Sequence, residues 1–422
     1  MPRATLLHAT LALALLMLVP VASLATDRVD EAGDCTVPEG RAAFQNTLDD
    51  MAQGQLRPLA AAHFSDHSGA VTAAEISART FDETPCLISF PIAPPEGALW
   101  LRFSISNPHG RDMDWTLAFM ETILDEITLY EQTASGLILR ARNGRAVPAD
   151  QQAMAGAKFA VPVRMAPGEE ARFYLRVAGT FSEKITPTLV STGFFHRWAA
   201  SFGNVSAVLL GFTAMLAIIS TALFRHVSAR FYKYYTMFMV TSFLFTFLYD
   251  GWFNRVLNLQ SPVTVTLPLI ELAAGLGVIA NIQYCRVLLA GGVTPRGQRV
   301  TLQVLTGLAV LAASLAVLDP WTFALANHLM FFLSPVILLI LALRRLGDGL
   351  PQVAPVCAAL LCLVVGLSVA NYTFVFPIRI SETSSVLEVM LMRPATYSYA
   401  LAIIGEALFM MLAISTLLRA MR

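Results

Sequence analysis

The chain has 422 residues, 56 % of them hydrophobic and only 14 % charged, with 29 basic side chains against 29 acidic ones. Soluble domains carry about 25 % charge, and the shortage here falls almost wholly after residue 200, so the chain divides into a water-facing first half and an apolar second half. Zero net charge offers no basic stripe for nucleic acid, and Cys35, Cys86, Cys285, Cys357 and Cys362 stand at no metal-knuckle or redox spacing, which excludes a zinc site.

Residues 1–25 form a segment of their own. Arg3 gives a positive start, Leu11 to Val19 an apolar run, and Ser23 and Ala25 the small residues of a cleavage site after Ala25. The reading is a signal peptide, with a retained anchor helix as the alternative; either way residues 26–197 are exported. Cys35 and Cys86 are the two exported cysteines, and their pairing stays open.

Helices are expected near Ala42 to Ala52 and near Ala73 to Ala78. From Leu99 the period becomes two, the mark of half-buried strands. Leu99, Leu101, Phe103 and Ile105 alternate with Trp100, Arg102, Ser104 and Ser106, up to the turn Asn107-Pro108-His109-Gly110. Trp115, Leu117 and Phe119 make a second strand face, and Trp115 belongs to the core by parity. Ile127 to Tyr130 and Leu137 to Leu139 follow, then the Asn143-Gly144 turn. Phe159, Val161 and Val163 lead to Pro167-Gly168, beyond which Ala171, Phe173, Leu175 and Val177 alternate. Short strands at this spacing predict an all-β jelly roll or sandwich.

Residues 198–422 predict an all-α bundle of seven membrane-spanning helices, near 203–224, 234–253, 265–289, 300–318, 321–343, 353–376 and 396–418, each close to the length of about 20 residues that crosses the hydrocarbon core. Arg225, Arg230, Lys233, Arg296, Arg299, Arg344 and Arg345 lie in alternate connections, and Arg419 and Arg422 in the tail. The opposite loops hold Arg255, Arg379 and Arg393. The basic ends are therefore cytoplasmic and the exported domain lies on the opposite side of the membrane. Trp198, Trp252 and Trp321 fall at the outer ends of spans, where such rings prefer to sit.

Parity puts Trp100 and Arg102 on one face of their strand, and Tyr174 and Arg176 likewise on theirs. If the strands share a sheet, the four side chains could line a ligand-binding surface, the rings stacking on a sugar and the arginines binding hydroxyl or carboxylate groups. The plainer alternative is a solvated face. In the spans, Glu271, Asn281, Asn371 and Glu406 are costly in hydrocarbon and should point into the bundle. They could form a polar switch, or simply fix helix packing. Arg286 and Asp250 lie near enough to the interfaces to snorkel, and His328 has no second histidine at haem-ligand spacing. No catalytic, metal or cofactor constellation is present in the sequence, so the chain does not read as an enzyme.

Several stretches resemble one family. Trp100-Leu-Arg-Phe-Ser-Ile-Ser-Asn107, Asp125-Glu-Ile-Thr-Leu-Tyr130 and Phe173-Tyr-Leu-Arg-Val177 are similar to strands of the extracellular domain in bacterial seven-transmembrane receptors with diverse intracellular signalling modules. Phe64-Ser-Asp66 with Thr72-Ala-Ala-Glu75 and Phe81 resembles its opening. Phe231 to Gly251 resembles its second span, and Gly405-Glu406 with Ser415 and Arg419 its seventh. The resemblance implies a jelly-roll periplasmic sensor for carbohydrates or other small ligands on a seven-helix transducer. Family members usually continue into an output domain, whereas this sequence stops shortly after the seventh span, so either a separate cytoplasmic signalling protein is the implied partner or the chain is a shortened member of its family. The lipid bilayer is the other partner, and a homodimer is among the assemblies allowed. A transporter or membrane enzyme with a periplasmic accessory domain is the alternative function.

Overall fold

In the computed structural model the described residues are 45–47, 57–83, 90–91, 97–119, 123–148, 150–154, 159–180, 184–185, 187–226, 230–257, 262–290, 295–375 and 395–420. The signal segment, Cys35 and Cys86 lie outside them.

The first part is a two-sheet sandwich. Its strands are β1 (Gln45–Thr47), β2 (Arg57–Pro58), β3 (Ala62–Asp66), β4 (Phe90–Pro91), β5 (Ala98–Ser106), β6 (Met113–Ala118), β7 (Leu124–Thr133), β8 (Gly136–Asn143), β9 (Ala160–Met165), β10 (Glu170–Thr180), β11 (Lys184–Ile185) and β12 (Thr188–Ser191). The larger sheet runs β1-β5-β10-β7-β8, with β3 sharing the edge of β5; the second runs β2-β12-β6-β9. β4 and β11 form a separate pair. Every predicted strand face is present, because alternation with one buried face fixes register. Phe103 pairs with Phe173 and Leu101 with Leu175. Their side chains meet Trp115, Leu117, Val161 and Leu189 of the second sheet in one core.

The helix expected near Ala42 to Ala52 is overturned over Gln45–Thr47. Those residues pair in parallel with Ser104–Ser106. Asn46 donates to Ala60 O (2.9 Å) and Ser104 O (3.2 Å) and accepts from Ala60 N (3.0 Å). Long-range pairing has overridden local helix preference.

Helices follow: α1 (Ala73–Ile76) within the sandwich, then α2 (Thr192–His226), α3 (Arg230–Tyr249), α4 (Trp252–Leu257), α5 (Val263–Leu288), α6 (Arg296–Leu318), α7 (Pro320–Arg344), α8 (Val353–Val375) and α9 (Ala395–Ala420). Each of the seven predicted spans lies mainly on one of these long helices, although the second, 234–253, runs past the end of α3 at Tyr249 into the turn before α4. Five are long and apolar enough to cross a membrane among the described residues: α2, α5, α6, α7 and α9. α3 opens with Arg230, Lys233 and three tyrosines, which dilutes its hydropathy, and the apolar part of α8 is described as Val353–Val369. Val208, Ile218, Val304, Leu311, Leu401 and Leu408 are exposed on the helices. Side chains of this kind suit hydrocarbon rather than water. Asp319 starts α7 by accepting from Thr322 N (3.2 Å), with Pro320 pre-set at the first helical position.

α2 begins at Thr192, before the expected first span, and runs straight on from β12. Phe194, Phe195, Trp198 and Ala199 pack on Ala118, Ala160 and Val190 of the second sheet. Trp198 is therefore buried against the sandwich rather than standing free at the end of its span.

Candidate functional site

The register sets Tyr174 opposite Arg102 and Arg176 opposite Trp100. The four side chains named from parity therefore share the outer face of the larger sheet. That face is covered. Trp100 is 0 % exposed and Tyr174 3 %, beneath the segment from Asp66 to Phe81, whose Val71, Ala73, Ile76 and Phe81 pack on them and on Tyr130. Local bonds shape this cover. Asp66 accepts from Ser68 Oγ (2.6 Å) and Val71 N (2.9 Å), and Glu75 accepts from Thr72 N (3.0 Å) and Thr72 Oγ1 (2.9 Å) at the start of α1.

Two arginines tie the cover down. Arg176 Nη2 donates to Gly69 O (2.9 Å), and its Nη1 lies 3.4 Å from Glu126. Arg102 meets Glu83 at 2.5 Å and lies 4.7 Å from the centre of the Phe81 ring. Beneath them Trp100 stacks on Tyr130, with centroids 5.8 Å apart. The Trp100 Nε1 is buried with no hydrogen-bond partner among the described residues. Burial pushes the Tyr130 hydroxyl up, and Glu126 adds to it while Arg176 and Arg142 oppose it.

From Glu126 the path leads to the bundle in one residue. Asp125 Oδ1 accepts from Val263 N at 2.6 Å, the first residue of α5. A carboxylate there satisfies an orphan amide and meets the positive end of the helix. Burial pushes the Asp125 carboxyl up to about 6, against the pull of the Val263 amide and of Arg145. Two glycines make room for it: a Cβ at Gly179 (φ +62) would overlap the Asp125 side chain, and one at Gly144 (φ +132) would overlap its carbonyl. Arg145 is 5 % exposed and donates from Nη2 to Tyr249 O (2.8 Å), at the C-terminal end of α3, where a cation is favoured. Burial brings Arg145 down to about 10, and Asp125 opposes that.

Asp250 does not snorkel. It is 8 % exposed, and its Oδ2 accepts from Ser206 Oγ (2.7 Å), which in turn accepts from Trp252 Nε1 (3.0 Å), joining α2, α3 and α4. The other end of α5 is held by the segment between α7 and α8: Gln352 Nε2 donates to Leu288 O (3.3 Å), and Arg345, 6 % exposed, donates to Leu289 O and pairs with Asp348 (2.8 Å). Arg345 is thus a capping residue, whereas Lys233 and Arg344 are exposed on the same side.

Within the bundle Glu271, Asn281 and Glu406 are 1 %, 3 % and 0 % exposed. Glu271 Oε2 accepts from Asn327 Nδ2 (2.7 Å), and its Oε1 lies 3.1 Å from His328 Nε2. Asn281 Oδ1 accepts from Cys285 Sγ (3.5 Å). The Glu406 oxygens have no hydrogen-bond partner among the described residues. Asn371 lies on α8, but its side chain is outside the described residues. A cavity with room for about one water lies among Ser242, Asn281, Ser334 and Tyr399. Among the described residues no group of three or more His, Cys, Asp or Glu could hold a metal ion.

Sequence reasoning missed the roles of Asp125, Arg145, Asp250 and Asn327. Asp125 had a signal, as the first residue of a family-like strand motif; the others had none beyond a charge or amide near a predicted span. Residues 60–191 match the family model described as 7TMR-DISM extracellular 2, and residues 204–416 match the one described as 7TM diverse intracellular signalling. No curated protein matches the chain.

Proposed function

Since the chain belongs to the seven-transmembrane receptors with diverse intracellular signalling, and is thus a transmembrane signalling receptor, we propose that it senses a small periplasmic carbohydrate and passes the signal through α5 to a separate cytoplasmic protein. The observation that carries this reading is the continuous run of contacts Arg176–Glu126, then Asp125–Val263 at the outer end of α5, then Leu288 and Leu289 with Gln352 and Arg345 at the inner end. A helix of 26 residues spans about 39 Å, so a load on one end of α5 reaches the other side of the bilayer.

In this reading the ligand enters at the rim made by Arg102 and Arg176. Its hydroxyls replace Glu83 and the Gly69 carbonyl, the cover lifts, and the sugar stacks on Trp100 and Tyr174, with the Trp100 Nε1 supplying a donor. Every polar group the ligand displaces was already bonded, so discrimination comes from the fit of several hydroxyls at once. Orientation follows the basic connections, with the sandwich in the periplasm of a bacterial inner membrane and α9 ending in the cytoplasm. Among the described residues Lys233, Arg296, Arg299, Arg344 and Arg419 are exposed cations that a partner would meet there.

The test uses the full chain in nanodiscs with a panel of neutral and acidic saccharides. A binding member raises the thermal midpoint and alters amide exchange at the inner ends of α5 and α9. Arg176→Ala loses both effects, whereas Arg145→Met keeps the stabilisation and loses the exchange change. Saccharide flux through liposomes bearing the protein would overturn the receptor reading.

A further inference from the structure

The bundle contains two buried carboxyl groups in opposite circumstances. Glu271 has an amide on one oxygen and a histidine on the other. Glu406, on α9, is fully buried and has a partner for neither oxygen among the described residues. The ionisable groups that act electrostatically with it are Tyr235 on α3, Tyr284 and Cys285 on α5, Cys362 on α8 and Tyr399 on its own helix. None is a base that carries positive charge. Among the described residues α2, α6 and α7 supply no charge that compensates it, and the side chain is shut off from solvent. A bare carboxylate in hydrocarbon costs about 2.5–3.5 kcal/mol on insertion scales alone. Binding one proton removes that charge.

We propose that Glu406 is a proton-binding site of the bundle, a neutral carboxylic acid in the packing described here, and that release of its proton moves α9 to a second packing. The second packing has its donors in place. The Tyr284 hydroxyl is also buried without a hydrogen-bond partner among the described residues. The Tyr235 hydroxyl, on a ring 5.3 Å from that of Tyr284, makes only a 3.5 Å contact with Ala407 O, one residue beyond Glu406. A newly formed carboxylate would recruit both hydroxyls and so draw α9 toward α3 and α5. In the neutral state the Tyr284 donor stays idle and the Tyr235 donor keeps its long contact with Ala407 O, and an idle polar group costs about 1–3 kcal/mol; the two packings are therefore close enough in energy for one proton to choose between them. This proton site does not depend on any ligand bound at the sandwich.

Infrared spectroscopy of the full chain in nanodiscs tests it. At neutral pH the wild type should show the carbonyl stretch of a protonated carboxylic acid. Glu406→Gln should lose that band, and Glu271→Gln should keep it. Glu406→Met, apolar and of similar length, should also lose the band while holding the thermal midpoint, since it replaces a neutral group that makes no bonds; this variant carries the reading if Glu406→Gln folds poorly. At alkaline pH the wild-type band should disappear together with a change in amide exchange along α9, and both variants should show no such change. Absence of a Glu406-dependent band at neutral pH, loss of the band in Glu271→Gln instead, or unfolding of Glu406→Met would each overturn the proposal.

Discussion

Asp125→Asn is the sharpest probe of the junction. The asparagine keeps an oxygen for Val263 N but removes the charge that burial opposes. A carboxyl moved from its ordinary 3.8 to about 6 carries a folding cost in its charged form of the order of 3 kcal/mol, at 1.36 kcal/mol per tenfold, and screening on its exposed side reduces this to about 1–3 kcal/mol. The sign follows from proton counting. Between pH 3.8 and about 6 the folded chain holds a proton that the unfolded chain has released, so this contribution is complete below the lower value and is lost as pH rises through the upper one. Thermal unfolding of the full chain in nanodiscs should therefore place Asp125→Asn above the wild type near pH 7.5, with the difference shrinking toward about pH 4. A variant less stable than the wild type by the same amount at both pH values would refute the reasoning, since the charge would then be an asset rather than a burden.

Arg145→Met should destabilise by about 3–5 kcal/mol, because it leaves the Tyr249 carbonyl and the Asp125 carboxyl without their buried cation; combining it with Asp125→Asn should recover part of that loss in a double-mutant cycle. Gly179→Ala should cost at least about 1 kcal/mol, from its positive φ and the overlap with Asp125, and the Val263 amide should lose protection in hydrogen exchange. Asn327→Leu should cost about 1–3 kcal/mol by removing a donor from Glu271, and pairing it with Glu271→Gln should make the same change cheaper, as read from thermal midpoints.

The sandwich and the spans were legible because their signals are local. Leu99, Leu101, Phe103 and Ile105 announce a buried face within seven residues, and the long apolar runs announce spans in about 20. β1 was not legible: its three residues are a strand only because Asn46 reaches Ser104 and Ala60. Parity gave the shared face of Trp100, Arg102, Tyr174 and Arg176 but carried no information about what lies over it, so the cover formed by Val71, Ile76 and Phe81 went unforeseen. The junction was hidden for a simpler reason. Asp125 and Val263 are 138 residues apart, and Arg145 and Tyr249 are 104 apart; neither pair leaves a pattern in a linear reading. Glu406 stood out because a carboxyl inside an apolar run is conspicuous, but its lack of a partner among the described residues is a property of four packed helices.

The outer face of the larger sheet and the junction share one residue pair, and this sets the direction in which a ligand bound at the proposed site would act. Glu126 raises the neighbouring Asp125 carboxyl, while Arg176 and Arg142 lie against Glu126 at 3.4 and 2.8 Å. A ligand that draws Arg176 away leaves Glu126 less neutralised, and Asp125 takes up a proton more readily. A neutral acid is a weaker cap for α5 than a carboxylate, since a charge-assisted hydrogen bond is roughly twice as strong as a neutral one. The difference is of the order of 1 kcal/mol, within the 1–3 kcal/mol by which coupled sites usually communicate. Coupling by this route is largest near pH 6, where Asp125 is half protonated, and vanishes in Asp125→Asn. Titrating the ligand-dependent exchange change at the Leu288 end of α5 against pH would separate it from a purely mechanical pull by the cover, which has no pH optimum.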